Sequence, residues 1–297
     1  MTTEIRRKPD ERYFMNHSTN FFPGRRTSAC LALLAPLLLV LNTQAQVQNM
    51  TSGDATISIN TSSPAGMNSW TVDGQNQLNQ QWFYYSIGSG SVAQGIQTIS
   101  APSTATQTDP SKLDTTYANS GLSVRAVYTL SGGAFGSGTS GLIEQLTIQN
   151  LSASAITLHF FEYADFSMGA NNNNVQLAST LAGYNEALVT SGNLALSESI
   201  DTGLSPRANH GEAALFNNTL TSITTVPGYV LNDQHLAGPG HSTWAFEWDA
   251  TLAANTGTLI ISKTLSITNA PEPATWALVS VGLVGFGFMR RFSARGK

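Results

Sequence analysis

The segment TWAFEWDATL, from Thr243 to Leu252, alternates between two kinds of side chain. Every second position from Trp244 onward is apolar, whereas most positions between them are polar or charged. Because successive side chains of a strand point to opposite faces, this two-residue period is typical of a β-strand that buries one face. The segment therefore predicts a strand whose Trp244 face packs into a core and whose Glu247 and Asp249 face is exposed.

The same period recurs through the body of the chain, in 122–130, 142–149, 156–166 and 259–268. Clusters of Gly, Asn and Ser separate these segments, and no helical period runs for three turns. Many short alternating segments with turn signals between them indicate a β-sandwich or barrel-like fold. We predict an all-β fold, an antiparallel β-sandwich of ten or more strands. Segment 142–149 is expected to form hairpins with 122–130 and with 156–166.

Charge is scarce and unevenly distributed. Only 11% of the 297 residues are charged, and ten of the 14 basic residues lie before Gln46 or after Ala270. The body is therefore acidic and is expected to repel phosphate backbones, so we predict no nucleic-acid partner. The single cysteine, Cys30, precedes the body, which excludes cysteine nucleophiles, disulfides and thiolate metal sites there.

The N-terminal region has the features of a secretory signal peptide. Arg25 and Arg26 precede a short apolar run from Ala29 to Leu41, and Ala45 offers a small residue for cleavage. The run is too short for a permanent membrane span. We predict that residues 1–45, with Met15 as a candidate start, form a signal helix that engages the secretion machinery and signal peptidase.

The C-terminal region combines three features. Pro271, Glu272 and Pro273 precede an apolar run at 274–289, which Arg290 and Arg291 follow. The prolines keep the chain extended, and the apolar run predicts a transmembrane helix that the arginines stop at the cytoplasmic side. We therefore divide the chain into a signal peptide (1–45), a β-sandwich domain (46–268) and a C-terminal segment (269–297).

This C-terminal segment resembles the PEP-CTERM sorting signal, with the three features in the same order. The resemblance implies export in a Gram-negative bacterium, many of which make exopolysaccharide. It also implies recognition of Pro271, Glu272 and Pro273 by an exosortase, a membrane-embedded cysteine protease. The expected location is a transient anchor in the inner membrane, then the cell surface or extracellular matrix. A tail anchor that is never cleaved is the alternative.

The segment ITLHFFEYADF, within 156–166, contains the candidate ligand-binding residues of the body. Alternation places His159, Tyr163 and Asp165 on one face of a strand and Glu162 on the other. The first three suggest a sugar-stacking platform beside exposed aromatic residues. A buried Glu162 suggests a general acid with a raised pKa. The third interpretation is a central strand packed on both faces.

The other candidate sites are weaker. His235 and His241 lie six residues apart, outside the usual zinc spacings. Glu247 and Asp249, two residues apart on one strand face, would lie about 6.5–7 Å apart and resemble a glycosidase pair. No nucleophile elbow or phosphate-binding loop is present. We therefore predict no catalytic residues, no metal site and no cofactor.

These features favour a non-catalytic exported protein associated with the envelope or with exopolysaccharide. The alternative is a carbohydrate-binding or carbohydrate-cleaving sandwich. Its candidate stacking residues are Trp82, Tyr84, Tyr163, Trp244 and Trp248, and a row of them facing solvent would support it.

Overall fold

The computed structural model of the chain describes residues 47–104, 107–168, 172–201 and 203–269. All of them belong to one compact unit. The predicted signal peptide, the Pro-Glu-Pro motif, the apolar run at 274–289 and Arg290–Arg291 lie outside the described residues. Within the described ranges, no helix is long and apolar enough to cross a membrane.

The described residues form 18 strands, one α-helix and one short 3₁₀ helix at Ile96–Thr98. In chain order these elements are β1 (Val47–Ser52), β2 (Ala55–Asn60), β3 (Gly66–Val72), β4 (Gln75–Asn76), β5 (Leu78–Ile87), β6 (Gln94–Gly95), β7 (Ser103–Thr104), β8 (Lys112–Ala118), β9 (Leu122–Gly132), β10 (Ser140–Asn150), β11 (Ile156–Phe166), β12 (Asn173–Thr180), β13 (Gly183–Ser191), β14 (Leu194–Ile200), β15 (His210–Leu215), α1 (Asn218–Thr225), β16 (Leu236–Gly240), β17 (Ser242–Leu252) and β18 (Thr258–Asn269).

The strands form two nine-stranded sheets. Sheet 1 has the order β1-β2-β3-β5-β11-β17-β15, with β4 paired to β3 and β6 to β5. Sheet 2 has the order β16-β12-β13-β14-β18-β10-β9-β8-β7. Pairing is antiparallel except for a short parallel contact between β3 and β5. The predicted all-β class is therefore confirmed, with two antiparallel sheets.

The two sheets face each other across an aromatic core. Trp244 of β17 stacks on Phe166 of β11 with ring centroids 5.3 Å apart, and Phe83 stacks on Phe160 at 5.9 Å. Across the sheets, the Trp70 indole donates a hydrogen bond to the Ser140 hydroxyl at 3.0 Å. Burying each large apolar side chain contributes roughly 1.5–3 kcal/mol. The predicted core-facing side of 243–252 is thus confirmed.

One of the two predicted hairpins is correct. β9 and β10 pair in register from Leu122 with Asn150 to Gly132 with Ser140. The hairpin predicted between 142–149 and 156–166 is wrong, because β10 pairs with β9 and β18 whereas β11 pairs with β5 and β17 in the other sheet. The Asn150 amide donates to the carbonyl of Leu252 at 3.1 Å and so stabilises the crossing between sheets. Alternation reports burial and does not specify the neighbouring strand.

A polypeptide layer covers part of the outer face of sheet 1. We call residues 216–235, which include α1, the cover segment. Its Ile223 carbonyl accepts a hydrogen bond from Ala93 N, and Leu231 N donates to Glu247 of β17. The prediction of an exposed face on β17 is therefore wrong at Ala245 and Glu247, which are fully buried, whereas Asp249 is partly exposed and Thr251 is exposed. The Ser- and Thr-rich helix has only two buried residues and gives no long apolar stripe.

Candidate functional site

The register of sheet 1 brings four ionisable side chains to its outer face. β11 and β17 pair His159 with Asp249 and Phe161 with Glu247, and β15 and β17 pair His210 with Glu247. Directly paired residues of antiparallel strands project to the same side. The side chains of His159, His210, Glu247 and Asp249 therefore meet; we call them the outer cluster.

Distances within the outer cluster are short. His159 Nδ1 lies 2.5 Å from Asp249 Oδ1 and 3.4 Å from Glu247 Oε1. His210 Nε2 lies 3.7 Å from Asp249 Oδ2. The Glu247 side chain is fully buried, whereas those of His159 and Asp249 are 22% and 30% exposed. The cluster thus has a buried floor and an opening to solvent.

The cover segment supplies a second layer around the outer cluster. Asp233 Oδ2 lies 3.1 Å from His210 Nδ1, and its Oδ1 accepts a hydrogen bond from Gly211 N at 3.3 Å. The Asp233 carboxylate thereby orients the imidazole, with Nε2 on the side of Asp249. Glu247 Oε2 accepts a hydrogen bond from Leu231 N at 2.9 Å, which fixes the Glu247 carboxyl.

Glu247 is held in an environment that disfavours its charged form. Burial, the largest cause, raises the pKa of Glu247 to about 8. The hydrogen bond from Leu231 N acts in the opposite direction, and the nearby carboxylates of Asp249 and Asp233 add to the rise. Neither Glu247 nor Asp249 forms an ion pair with a lysine or arginine of the described ranges.

Glu212 anchors the cover segment at a neighbouring point. Its Oε1 accepts a hydrogen bond from the Thr219 hydroxyl at 2.5 Å, and its Oε2 accepts from the Tyr229 hydroxyl at 2.6 Å and from Asn232 N at 3.1 Å. The Glu212 side chain is buried. All its contacts hold one chain segment against another, so this carboxylate serves packing.

A second ionic assembly lies between the two sheets; we call it the inner cluster. Lys263 of β18 contacts Glu144 Oε2 at 2.5 Å, Glu198 Oε1 at 2.9 Å and Glu162 Oε1 of the opposite sheet. Gln81 donates to Glu144 and Glu162, at 2.8 and 2.6 Å. These five side chains are almost completely buried, so the inner cluster links the sheets without access to a substrate.

Three carboxylates share the single ammonium group of the inner cluster. Burial raises the pKa of Glu162 well above its ordinary value, and the neighbouring carboxylate of Glu198 raises it further. Burial also raises the pKa of Glu144, against the lowering effect of Lys263. For Lys263 burial acts to lower the pKa, but the surrounding carboxylates outweigh it and raise the value. The assembly therefore has an excess of acidic groups over its one cation.

The four predicted ligand-binding residues lie in separate environments. Glu162 belongs to the inner cluster and His159 to the outer cluster. Asp165 contacts His241 Nε2 at 2.7 Å and accepts a hydrogen bond from Asn79, and Tyr163 is fully buried. Tyr163 and Asp165 are therefore too buried to belong to an exposed platform.

The predicted stacking residues are likewise inaccessible. Each is at most 2% exposed, and the set comprises Trp82, Tyr84, Tyr163, Trp244 and Trp248. Stacking of sugars on these rings is contradicted by their burial. The prediction that Glu247 and Asp249 form an exposed glycosidase-like pair is also wrong, because Glu247 is buried and accepts a hydrogen bond from Leu231 N of the cover segment.

Sequence reasoning missed the partners that complete both clusters. Lys263 shares a strand face with Ile261 and Leu265, and a lone lysine on an apolar face is the available signal for a buried ion pair. Glu198 follows Leu196 and precedes Ile200 on the same face of β14, which is the same kind of signal. Asp233 and His210 carry no such pattern, because loop folding brings them together.

Comparison with known families identifies the C-terminal segment. Residues 269–291 match the model of the PEP-CTERM protein-sorting motif. The C-terminal segment therefore carries this motif, as the order of its three features predicted. The motif implies processing by an exosortase and indicates export with sorting to the cell surface. No curated protein is similar enough to the chain to count as a match.

Several solved structures resemble the fold at low sequence identity. A bacterial glucoamylase complexed with acarbose aligns with a TM-score of 0.51 and 9% identity, over 82% of this chain and 36% of that chain. The Slr1438 protein from Synechocystis sp. PCC 6803 aligns with a TM-score of 0.50 and 11% identity, over 76% of this chain and 96% of that chain. A galactose mutarotase related enzyme from Lactobacillus acidophilus aligns with a TM-score of 0.49 and 7% identity, over 76% of this chain and 99% of that chain. The chain thus spans little more than a third of the glucoamylase, and the likeness shows the fold alone.

Proposed function

We propose that this chain is an exosortase substrate whose β-rich body acts, after export, as a non-catalytic component of the cell envelope or of the exopolysaccharide matrix. The sorting motif at residues 269–291 is the observation that carries this proposal. A protein sorted by this route reaches the cell surface, so its body works outside the cytoplasm.

The arrangement of the buried carboxylates supports a non-catalytic body. Glu162 is enclosed between the sheets, and Glu212 holds the cover segment through three hydrogen bonds. A general acid must come within hydrogen-bond reach of a substrate. Neither carboxylate has such access, so Glu162, which the sequence suggested as a general acid, and Glu212 both serve structural roles in this proposal.

The sorting step is tested by the mass of the mature protein in the producing bacterium. We expect wild-type protein from the surface or matrix fraction to lack residues 276–297. A Pro271→Ala, Pro273→Ala double variant should keep them and remain with the membrane, because the extended recognition segment is lost. Pro102→Ala, a change in the body, serves as the matched control and should be processed normally. Wild-type protein that retains residues 276–297 would contradict exosortase processing and favour an uncleaved tail anchor.

The role of the body is tested separately by fractionation and assay. Mature protein should sediment with exopolysaccharide isolated from the same bacterium and should release no reducing sugar from it. Release of reducing sugar by the wild-type protein would overturn the non-catalytic proposal. Absence of the protein from both envelope and matrix fractions would overturn the proposed location.

The carbohydrate-cleaving alternative has little independent support. Its stacking residues are buried, and the likeness to the glucoamylase concerns the fold alone. A polysaccharide partner therefore remains part of the proposal as a component of the surroundings, without an aromatic platform to bind it.

A further inference from the structure

The outer cluster has the geometry of a cation site. One ligand atom each from His159, Glu247 and Asp249 lies within 4.8 Å of the other two. The three residues come from two adjacent strands whose register is fixed along nine consecutive pairs. Side chains on rigid strands are held more precisely than side chains on loops. The convergence therefore follows from the sheet itself.

The converging atoms have no hydrogen-bond partners. His159 Nδ1, Glu247 Oε1 and Asp249 Oδ1 are all buried, and none of them makes a hydrogen bond. His159 Nδ1 and Asp249 Oδ1 are nevertheless only 2.5 Å apart. Glu247, the most buried of the three, uses Oε2 to accept from Leu231 N and leaves Oε1 facing the cluster. The three atoms face one another in ion-pair contacts. Buried polar atoms that lack a hydrogen bond are rare and point to a missing ligand.

The types of ligand atom narrow the class of ion. Imidazole nitrogen suits zinc, copper, iron and nickel, whereas calcium and magnesium take oxygen ligands. Bonds of about 2.0–2.2 Å to zinc place tetrahedral ligand atoms about 3.3–3.6 Å apart. The separation of 3.4 Å between His159 Nδ1 and Glu247 Oε1 fits that spacing. The partly exposed Asp249 carboxyl can rotate and so lengthen the 2.5 Å contact between its Oδ1 and His159 Nδ1.

His210 adds a feature found around metal centres. Asp233 holds its Nδ1, and its Nε2 lies 3.7 Å from Asp249 Oδ2. A carboxylate that contacts the far nitrogen of a histidine fixes the ring orientation and increases its basicity as a ligand. His210 is thus placed to reach an ion held by Asp249.

We propose that His159, Glu247 and Asp249 bind a divalent first-row transition-metal ion, with His210 as a neighbouring ligand. The two carboxylates supply the negative charge, and the partly exposed side of the cluster gives the ion an entry path. Because Glu247 also holds Leu231, the bound ion would fasten the cover segment to sheet 1.

The proposal is tested with the full chain, purified without an affinity tag and stripped with EDTA. Calorimetric titration should show one equivalent of Zn²⁺ bound, with Ca²⁺ at least about tenfold weaker because one ligand is imidazole. His159→Gln and Asp249→Asn should each weaken Zn²⁺ binding at least about tenfold. Asp233→Asn should weaken it by about 10–100-fold, the usual effect of removing a group that holds a metal-binding histidine in place. His241→Gln, whose histidine contacts Asp165, and Asp114→Asn, whose carboxylate contacts Arg125, are the matched controls and should bind as wild type does.

Two results would overturn the metal site. One is wild-type protein that takes up no stoichiometric Zn²⁺; the other is Zn²⁺ affinity that is unchanged in both His159→Gln and Asp249→Asn. Should these variants fail to fold by circular dichroism, Co²⁺ titration of the wild type decides. Visible absorption that saturates at one equivalent supports an ordered site, and absorption that does not saturate contradicts it.

Discussion

Replacing Lys263 by methionine tests how the inner cluster stabilises the two sheets. Methionine preserves most of the volume of lysine but removes the ammonium group that contacts Glu144, Glu162 and Glu198. Removing one partner of a buried ion pair costs about 3–5 kcal/mol, because the remaining charge is left uncompensated. Small domains have only about 5–15 kcal/mol of stability, so the variant should lose a large fraction of it.

The same magnitude follows from the protonation of the carboxyls. Without Lys263, a glutamate of the inner cluster must take up a proton in order to stay buried. Relative to the ordinary glutamate pKa of 4.5, holding one extra carboxyl protonated at pH 7 costs about 3 kcal/mol. Removing the ammonium raises the folded-state pKa values of these carboxyls further above the unfolded value. The variant's stability is therefore best preserved below about pH 4.5 and is lost as the pH rises.

Urea unfolding followed by fluorescence of the four buried tryptophans measures the effect. Lys263→Met should lose about 3–5 kcal/mol at pH 7, and its deficit relative to wild type should shrink steadily towards pH 4.5. Lys112→Met is the matched control, because Lys112 is exposed and its contact with Asp109 is 3.7 Å long. Such a surface pair is worth about 0–1 kcal/mol. A Lys263→Met deficit below about 1 kcal/mol at pH 7, or one that does not vary with pH, would refute the reasoning.

Two further substitutions separate the roles of the buried carboxylates. Glu162→Gln replaces one of three clustered carboxyl groups but keeps the polar shape. It should cost less than half of the Lys263→Met loss and weaken the pH dependence above pH 4.5 in the same urea assay; a larger loss would mean that the contact between Glu162 and Lys263 is needed. Glu212→Gln disturbs three hydrogen bonds to the cover segment and should cost about 1–3 kcal/mol, with faster proteolysis within residues 216–235. Glu186→Gln is its control, and equal proteolysis of the two variants would contradict the anchoring role.

The sequence predicted the fold class well because strand burial is a local property. The alternation in 243–252 and 259–268 is present in the structure, with Trp244 and Lys263 on the core face. The neighbours of each strand were predicted less well. The link after β10 crosses to the other sheet, and nothing in a two-residue period distinguishes that crossing from a hairpin.

The candidate sites were only partly predictable, for a related reason. His159 and Glu162 were correctly assigned to opposite faces of β11, since that assignment needs only the strand period. The contacts that each residue makes there come from segments that are distant in sequence. Glu162 contacts Lys263, and His159 contacts Asp249. The burial of Glu247 depends on the cover segment, whose sequence gives no long apolar signal.

The buried clusters also change what the composition implies about the surface. Six acidic residues of the body are buried, namely Glu144, Glu162, Asp165, Glu198, Glu212 and Glu247. The field outside the protein is therefore weaker than the count of acidic residues suggests, and long-range repulsion of phosphate is weaker as well. The absence of a nucleic-acid partner stays a prediction, and its better basis is the scarcity of cations. The body has four basic residues, and one of them, Lys263, is buried in the core. The remaining three are too few to form the basic surface patch that binds a phosphate backbone.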